Sequence, residues 1–345
     1  MSHPLPTLAT PLATSLAGVP LRNPVIAAAG TCGYVDELAD AFDLREIGAV
    51  ISKSITRLPR EGNAPWRVIV LPAGMLNAVG LANVGLARFL DEKLPAAQSL
   101  GTTLIGSIAG HSVEDYVAIA AAFDAQPTLP IVELNVSCPN TADGLMFGED
   151  PASLLGLLSE VRPVLTQTKM LVKLSPNVSD IVAMAAAAIQ GGADGLSLIN
   201  TISAMAIDVD SREPRLSNGR GGLSGPGVHP IAVRMVHDVY HQVARDAGVP
   251  IVGLGGVASW RDAAELILAG ATCVAMGTAL FVDPRAPRAV VRGLERWVKE
   301  QGCRSIAELV GAIRRPASAS ASASASASAS ASAAAAVASS GRGKA

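Results

Sequence analysis

The amino-acid sequence predicts an α/β fold in which eight parallel strands, each followed by a helix, close into a (β/α)8 TIM barrel. Eight short runs of apolar and β-branched residues alternate with amphipathic stretches of helical length. The runs are apolar throughout, which is typical of parallel strands with both faces buried. The first run ends in AAAGTCG, which lacks the GxGxxG turn of the main alternative, a doubly wound open sheet.

The predicted strands follow one another at intervals that leave room for one helix each. They are residues 23–30, 49–55, 103–110, 131–137, 170–176, 195–201, 250–257 and 273–280. Several stretches between them begin at an Asp or Ser suited to N-capping, and three end at a Gly suited to C-capping. We also expect a short β segment before the first barrel strand. From about Ala317 the chain alternates Ala and Ser, so we predict a barrel domain over residues 1–315 and a disordered Ala/Ser-rich tail over residues 316–345.

Composition excludes several classes of protein. Half of the residues are hydrophobic, 16% are charged and the formal net charge is −2, and no basic run is interleaved with aromatic residues. A nucleic-acid-binding surface is therefore not expected. The four cysteines show no CxxC or zinc-type spacing, the N-terminus has no signal-peptide pattern, and no apolar run reaches the ~20 residues of a membrane span. We expect a cytoplasmic protein with no metal site and no membrane contact.

Barrel enzymes carry their chemistry at the C-terminal ends of the strands. Polar residues collect at those positions in this chain, namely Lys53, Asn135, Cys138, Lys173, Asn200 and Thr201. The last two strands end in GLGGV (253–257) and MGTAL (276–280), where glycines let backbone N–H groups approach a phosphate. The alternative is that they are glycines of tight turns. A further run, GRGGLSGPG (219–227), follows the sixth strand and could line the same ligand.

Two lysines and one cysteine are candidates for chemistry. Lys173 lies in an otherwise apolar strand, so its charge needs either a neighbouring carboxylate or an electron-rich, anionic ligand, and Lys53 raises the same question. Cys138 lies at the C-terminal end of a strand, where neighbouring groups can lower the pKa of a thiol until it acts as a base. Ordinary packing explains Cys273 and Cys303 better, whereas Cys32, in the loop after the first strand, is open to both interpretations and leans to a structural role.

Eight sequence segments occur in the order in which one enzyme family carries them. They are PREGNAPWR (59–67), PAGMLNAVGLAN (72–83), ELNVSCPN (133–140), VKLSPN (172–177), INTISAMAID (199–208), GGLSGPGVHP (221–230), GLGGV and MGT. Through these segments the chain from about Thr14 to Gly302 resembles a class 1 dihydroorotate dehydrogenase, and most closely the B subtype.

The resemblance implies that the barrel domain binds FMN and oxidises dihydroorotate to orotate in de novo pyrimidine (UMP) biosynthesis, as a flavin-dependent oxidoreductase acting on a CH–CH bond. Cys138 would be the catalytic base that takes a proton from C5 while hydride leaves C6 for the flavin. The substrate-binding residues implied are Lys53, Asn77, Ala78, Val79, Gly80, Leu81, Asn135, Asn200 and Thr201. The cofactor-binding residues implied are Ala29, Lys53, Ser54, Ser107, Asn135, Lys173, Ile199, Gly225, Gly255, Gly256, Gly277 and Thr278.

Two positions depart from the family's pattern. Ala29 stands where a serine is usual, and Ser107 stands where an asparagine is usual. Loss of a hydroxyl at residue 29 removes one possible hydrogen bond to the cofactor, worth about 0.5–1.5 kcal/mol. We therefore expect an altered FMN affinity, and the assignment of the activity stands because neither change affects the base or the substrate-binding asparagines.

The resemblance leaves the electron acceptor open. Membrane-bound relatives that reduce quinone have an amphipathic N-terminal extension and usually a serine in place of the base, and this chain has neither. The PREGN and GGLSGPG segments favour NAD⁺, reached through a partner subunit with FAD and an iron–sulfur cluster, over fumarate. A homodimer is also expected. A dihydropyrimidine dehydrogenase-type FMN barrel and a non-catalytic barrel that binds a phosphorylated ligand are the alternatives.

Overall fold

The computed structural model of the chain describes residues 10–137 and 147–314. In these segments the strands are, in chain order, β1 (Thr14–Leu16), β2 (Val19–Leu21), β3 (Val25–Ala27), β4 (Ala49–Ile51), β5 (Val68–Leu71), β6 (Gly74–Asn77), β7 (Thr103–Ile108), β8 (Ile131–Asn135), β9 (Lys169–Lys173), β10 (Gly195–Leu198), β11 (Ile202–Ala204), β12 (Ile207–Asp208), β13 (Glu213–Pro214), β14 (Gly221–Ser224), β15 (Ile251–Leu254) and β16 (Cys273–Met276).

The helices of the same segments are α1 (Leu86–Arg88), α2 (Val113–Asp124), α3 (Pro151–Val161), α4 (Ile181–Gln190), α5 (His229–Val239), α6 (Arg245–Ala247), α7 (Trp260–Ala269), α8 (Ala279–Val282) and α9 (Ala286–Glu300). The predicted caps are present. Ser112, Asp150, Asp180 and Ser259 each accept a hydrogen bond from a backbone N–H in the first turn of the helix that follows. No helix among the described residues is long and apolar enough to cross a membrane.

Eight strands form a closed parallel barrel in the order β10-β15-β16-β3-β4-β7-β8-β9, and β9 pairs with β10 to complete the ring. Each of them lies within or overlaps one of the eight runs predicted from the sequence, so the (β/α)8 prediction is confirmed. The register sets Asn135 of β8 beside Lys173 of β9, and Ser197 of β10 beside the same lysine. The functional end of the barrel is therefore built from neighbouring strands.

The N-terminal half of the barrel interior is apolar. Its inward-facing side chains, called here the lower layer, are Ile26, Ala49, Ile51, Ile105, Ile131, Leu171, Val252 and Cys273. The hairpin of β1 and β2 is the expected β segment before the barrel, and its Leu16 and Leu21 pack against this layer. Because every one of these side chains is almost completely buried, the lower end of the barrel is a packed core.

A four-stranded antiparallel sheet, in the order β11-β14-β6-β5, lies at the opposite end of the barrel. Strands β5 and β6 belong to the connection after β4, and β11 and β14 belong to the connection after β10. Sequence reasoning did not predict this sheet, because it interpreted those segments as loops and family motifs. The sheet brings three distant segments of the chain together at the C-terminal ends of the barrel strands.

Candidate active site

The barrel interior changes from apolar to polar along single strands. Inward-facing positions alternate, so the residue two places beyond a lower-layer side chain points into the same space. By this rule Ile131 is followed by Glu133 and then Asn135, and Leu171 is followed by Lys173. The resulting set, called here the polar layer, comprises Lys53, Ser107, Glu133, Asn135, Lys173 and Ser197. It lies at the C-terminal end, where barrel enzymes place their chemistry.

A hydrogen-bonded chain crosses this polar end. The hydroxyls of Ser54 and Ser107 are 2.8 Å apart, and Asn135 Nδ2 donates to Ser54 Oγ at 3.4 Å. Asn200 Nδ2 donates to Asn135 Oδ1 at 3.0 Å, and Asn200 Oδ1 accepts the backbone N–H of Thr201 at 2.8 Å. All five residues were predicted site residues, and the fold brings them into contact although four of them belong to separate strands or loops. Their amide and hydroxyl groups both donate and accept hydrogen bonds.

Asn77 and Thr201 meet at one glycine of the antiparallel sheet. Asn77 Nδ2 donates to the carbonyl of Gly222 at 3.2 Å, and the two residues are register partners between β6 and β14. A Cβ added at Gly222 would lie 2.0 Å from the hydroxyl oxygen of Thr201. A side chain at this position is therefore excluded. Because residue 222 is a glycine, Thr201 can pack against β14, the strand that pairs with Asn77 of β6.

The segment Ala78–Leu81, predicted to cover the substrate, is held by the preceding PREGNAPWR segment. Asn63 donates to the carbonyl of Ala78 from its side chain and to that of Val79 from its backbone, at 2.8 and 3.0 Å. Arg60 Nε donates to the carbonyl of Gly80 at 3.4 Å. Among the described residues, no hydrogen bond joins residues 78–81 to the Asn135–Asn200 pair. This loop is thus fixed at its outer side and leaves its inner side for a ligand.

The two predicted lysines have different surroundings. Lys173 is 8% exposed and its Nζ lies 3.7 Å from Glu133 Oε1, so a carboxylate does compensate its charge. Lys53 is half-buried, and within residues 10–137 and 147–314 its ammonium forms no hydrogen bond and no ion pair. Burial lowers the pKa of Lys53, and the charge of Arg67 lowers it further. An uncompensated cation at the mouth of a barrel indicates a place for an anionic ligand.

The predicted glycines cluster where β14, β15 and β16 end. Gly225, Gly255 and Gly256 have φ angles of +98°, +136° and +70°, which favour glycine. A Cβ at Gly256 would lie 2.8 Å from the carbonyl oxygen of Gly225, so these two loops pack backbone against backbone. The hydroxyl of Thr278 donates to Ser224 Oγ at 2.7 Å and joins the end of β16 to the same cluster.

The remaining predicted cofactor residues are Ile199, Ala29 and Gly277, which lie at the ends of three barrel strands. Ile199 is buried beside Gly255, whose added Cβ would lie 3.5 Å from the Ile199 side chain. Ala29 is half-buried and packs against the lower layer. A Cβ at Gly277 would meet nothing closer than 3.8 Å, so this position keeps open space beside Ala28 and Thr31.

Cys138, the predicted base, lies outside the described residues, as does Asn140. Of the other cysteines, Cys32 and Cys273 are fully buried, and burial raises the pKa of each thiol to about 12. The Sγ of Cys32 lies 3.2 Å from the carbonyl oxygen of Ile51. These two thiols remain protonated at neutral pH and serve packing, as the sequence predicted.

Two features of the site were missed by sequence reasoning. Glu133 is fully buried in the polar layer, and the two-residue alternation of β8 that places Asn135 inside could have identified it. Arg60, which holds Gly80, also contacts His111 through its guanidinium group. Burial and the nearby Arg60 charge lower the pKa of His111, so this imidazole is neutral near pH 7. No local signal in the sequence pairs these two side chains, since they are 51 residues apart.

A family model described as dihydroorotate dehydrogenase matches residues 11–298. This chain belongs to the dihydroorotate dehydrogenase family. The enzymes of this family are flavin-dependent oxidoreductases, so the chain takes a flavin cofactor. Among the described residues, no group of three or more His, Cys, Asp or Glu side chains is arranged to hold a metal ion.

Curated relatives cover almost the whole barrel. The chain is 46% identical over 303 residues to a protein of Pelobacter propionicus, which covers 88% of this chain and 98% of the relative. It is 47% identical over 304 residues to a protein of Desulforudis audaxviator, with 88% and 97% covered. A protein of Geobacter sulfurreducens is 44% identical over 303 residues. All three are named dihydroorotate dehydrogenase B (NAD(+)), catalytic subunit.

The residues of the polar end fit a flavin that carries a phosphate. The glycine cluster lies at the ends of β14, β15 and β16, the position usual for phosphate binding in barrels, and has no side chains that would block a phosphate. The helix α5 begins at His229, which donates from Nδ1 to the carbonyl of Gly255 at 2.8 Å and so lies beside this cluster. Two lysines and the Ser54–Asn135 pair supply cationic and hydrogen-bonding groups for a polar ring system.

Proposed function

We propose that this chain is the catalytic subunit of an NAD⁺-linked dihydroorotate dehydrogenase, which oxidises dihydroorotate to orotate in pyrimidine biosynthesis. The observation that carries the proposal is the set of polar side chains at the C-terminal end of the barrel. At the ends of the barrel strands lie a hydrogen-bonded pair of asparagines, Asn135 and Asn200, and Lys53, whose ammonium has no hydrogen bond or ion pair among the described residues. Dihydroorotate has one carboxylate and a ring of amide groups, and these groups match one cation and several amide partners.

The flavin is proposed to be FMN. Gly225, Gly255, Gly256, Gly277 and Thr278 would hold its phosphate, and the remaining cofactor residues would contact its ring: Ala29, Lys53, Ser54, Ser107, Asn135, Lys173 and Ile199. When bound, FMN supplies the acceptor for the hydride of the substrate. Lys173 would stabilise negative charge at the edge of the ring. The packing of the glycine loops and the buried position of Lys173 support this assignment.

The substrate is proposed to bind between the asparagine pair and the loop after β6. Lys53 would bind its carboxylate, and Asn77, Asn135, Asn200 and Thr201 would hydrogen-bond its ring. Residues 78–81 would cover it, and their carbonyls already point to Asn63 and Arg60 on the far side. This arrangement would orient the substrate and exclude water from it.

Cys138 is proposed as the base that takes the proton from C5 of dihydroorotate, on the strength of the segment ELNVSCPN. Replacing Cys138 by Ala is expected to leave the flavin bound and to slow its reduction by dihydroorotate about 10²–10⁴-fold, because a general base is lost. Stopped-flow absorbance at the flavin band measures this rate. Cys138→Ser is expected to recover activity at high pH, since a hydroxyl is harder to ionise than a thiol. Reduction of the Ala variant at the wild-type rate would contradict the assignment.

The electrons are proposed to leave through a partner subunit that carries FAD and an iron–sulfur cluster. The names of the relatives support this, because they denote the catalytic subunit of an enzyme linked to NAD⁺. Purified chain should reduce NAD⁺ with dihydroorotate only after the partner subunit is added. Rapid fumarate reduction by the chain alone would instead indicate the fumarate-linked activity.

We further propose that the chain forms a homodimer through exposed apolar residues of the β5 segment and of the segment that holds the β12–β13 hairpin. Trp66, Val70, Ile207 and Val209 are all strongly exposed, although they are large and apolar. Ser217 donates its backbone N–H to the carbonyl of Trp66 at 3.0 Å, which joins the segment of β12 and β13 to that of β5. Exposed apolar side chains on two segments joined in this way support an interface with a second copy. Light scattering of the purified chain tests the oligomeric state.

A further inference from the structure

The polar layer contains a carboxylate for which the proposed catalytic function has no use. Glu133 is completely buried inside the barrel, and its Oε1 has no hydrogen-bond partner among the described residues. Ser197, also completely buried, donates its hydroxyl to Glu133 Oε2 at 2.9 Å. The nearest cation is Lys173, whose Nζ lies 3.7 Å from Oε1. A negative charge is therefore held directly beneath the proposed cofactor-binding lysine.

Stability alone does not account for this arrangement. A buried ion pair repays its desolvation only with good geometry and satisfied hydrogen bonds, and apolar residues of the same volume usually serve stability as well or better. Here one carboxylate oxygen lacks a hydrogen bond, and the distance of 3.7 Å exceeds that of a charge-assisted hydrogen bond. The lower layer shows that this barrel does fill its interior with isoleucine, leucine and valine where nothing else is required.

Glu133 lies below the open end of the barrel, and its ion-pair partner among the described residues is Lys173. Glu133 pairs in register with Ser107 and Leu171, one inward-facing step below Asn135 and Lys173. Lys173 and Asn135 therefore lie between Glu133 and the open end of the barrel. Opposite charges at this separation in a protein interior interact strongly, so the carboxylate offsets much of the field that Lys173 exerts above it.

We propose that Glu133 is a positioning residue that sets the reduction potential of the bound flavin by offsetting the charge of Lys173. An uncompensated lysine would favour the negative charge that accompanies flavin reduction and would raise the potential. With the Glu133 side chain beneath it, Lys173 would bind the flavin while the potential stays low enough for electrons to pass to the next acceptor. This inference rests on the proposed flavin site and on the assignment of Lys173 to it.

The test is the two-electron midpoint potential of the flavin in purified, flavin-loaded protein, measured by spectroscopic titration against a reference dye. Glu133→Gln keeps the volume and the acceptor for Ser197 but removes the charge, and it is expected to raise the potential by about 30 mV or more, a tenfold change in the reduction equilibrium. The matched control is Asp124→Asn, which removes an equal charge at the opposite end of the barrel and should leave the potential unchanged.

A second arm separates an effect through Lys173 from a general disturbance. In Lys173→Met, adding Glu133→Gln should raise the potential less than it does when Lys173 is present, because the cation that the carboxylate holds is absent. Ser197→Ala withdraws from Glu133 a hydrogen bond that favours its ionised form, so it should raise the potential, but by less than Glu133→Gln. This variant also serves if Glu133→Gln does not fold.

The outcomes are distinguishable. A wild-type chain that binds no flavin would overturn the proposed function itself. Flavin-loaded Glu133→Gln with a wild-type or lower potential would overturn the role of Glu133 and leave the proposed function standing. An equal rise from Glu133→Gln in the presence and absence of Lys173 would also overturn it, since the carboxylate would then not act through the lysine. If Glu133→Gln does not fold, an unchanged potential in Ser197→Ala would overturn the role of Glu133.

Discussion

The two halves of the barrel interior are built on the same strands but differ in polarity. The lower layer is apolar and closed by Leu16 and Leu21 of the β1–β2 hairpin. The polar layer begins two residues further along β4, β7, β8 and β9, contains two lysines and a glutamate, and joins a hydrogen-bonded chain of serines and asparagines. The fold thus separates stability from chemistry along the barrel axis: one end supplies buried apolar area, and the other supplies charge and polarity.

This separation has an energetic consequence. Burial of apolar side chains is the main favourable term in folding, whereas burial of a charge costs free energy unless a partner compensates it. The lower layer should therefore determine the free energy of unfolding and leave ligand affinity unchanged. The polar layer should instead determine ligand affinity and contribute little to the free energy of unfolding. Some substitutions in it should even stabilise the protein. Three substitutions test this contrast.

The largest effect on stability is expected in the lower layer. Ile131 is completely buried there, and Ile131→Ala removes most of its side chain and leaves a cavity. The free energy of unfolding should fall by about 2–5 kcal/mol, measured by urea denaturation of the flavin-loaded protein. Ile231→Ala makes the same chemical change on the surface of α5, where the side chain is 37% exposed, and should cost much less. A loss of orotate affinity in folded Ile131→Ala would break the contrast.

Lys53→Met is expected to act in the opposite sense. Orotate affinity should fall about 10–100-fold, because a charge-assisted contact to the carboxylate is lost. The ligand-free protein should become more stable near neutral pH, since a half-buried cation without a partner among the described residues is removed. Titration calorimetry measures the first effect and urea denaturation the second. Lys299→Met, an exposed lysine paired with Glu295, is the control and should change neither.

The pH dependence of the Lys53 effect has a definite sign. Burial lowers the pKa of Lys53 below its ordinary value of about 10.4, so the unfolded chain binds more protons in the interval between the two values. Stability of the wild type should therefore rise with pH across that interval, and the advantage of Lys53→Met should shrink there. An advantage that is constant up to pH ~10 would show that packing, and not charge, causes it.

The sequence predicted the barrel well because its signal is periodic. Each of the eight strands is a short, wholly apolar run, and helices such as α2 and α7 begin at Ser112 and Ser259, which cap them. The predicted residues that share the polar end, such as Ser54, Asn135 and Asn200, also come together in the fold. Strand ends gave their approximate position, and the family resemblance gave their proposed roles.

Other features could not be predicted because their cause lies between distant segments. The sheet of β5, β6, β11 and β14 forms across two loops, and its closest approach depends on the missing side chain of Gly222. The contrast between a paired Lys173 and an unpaired Lys53 depends on where Glu133 lies relative to each of them. Each lysine follows an apolar stretch in the same way, so their local sequences do not distinguish the two.

The smallest effect is expected at the closed end, where polar groups serve structure alone. Asp124 ends α2 and accepts hydrogen bonds from the hydroxyl of Thr166 and the backbone N–H groups of Gln167 and Thr168, at 2.8–2.9 Å. Partial removal from water pushes the pKa of Asp124 upward, but these hydrogen bonds outweigh that effect and hold the pKa well below its ordinary value. The ionised carboxylate therefore stabilises the folded chain at neutral pH.

Asp124→Asn should lower the free energy of unfolding by about 1 kcal/mol at pH 7, because it weakens hydrogen bonds to a charged acceptor. The stabilisation is fully present above the unfolded pKa of about 4 and is lost as the pH falls toward the lower folded pKa, so wild type and variant should converge in acid. Urea midpoints at both pH values measure this convergence. Asp246→Asn, at an exposed carboxylate beside Arg245, should show a smaller change. A loss of flavin or orotate binding in Asp124→Asn would mean that the two ends of the barrel are coupled.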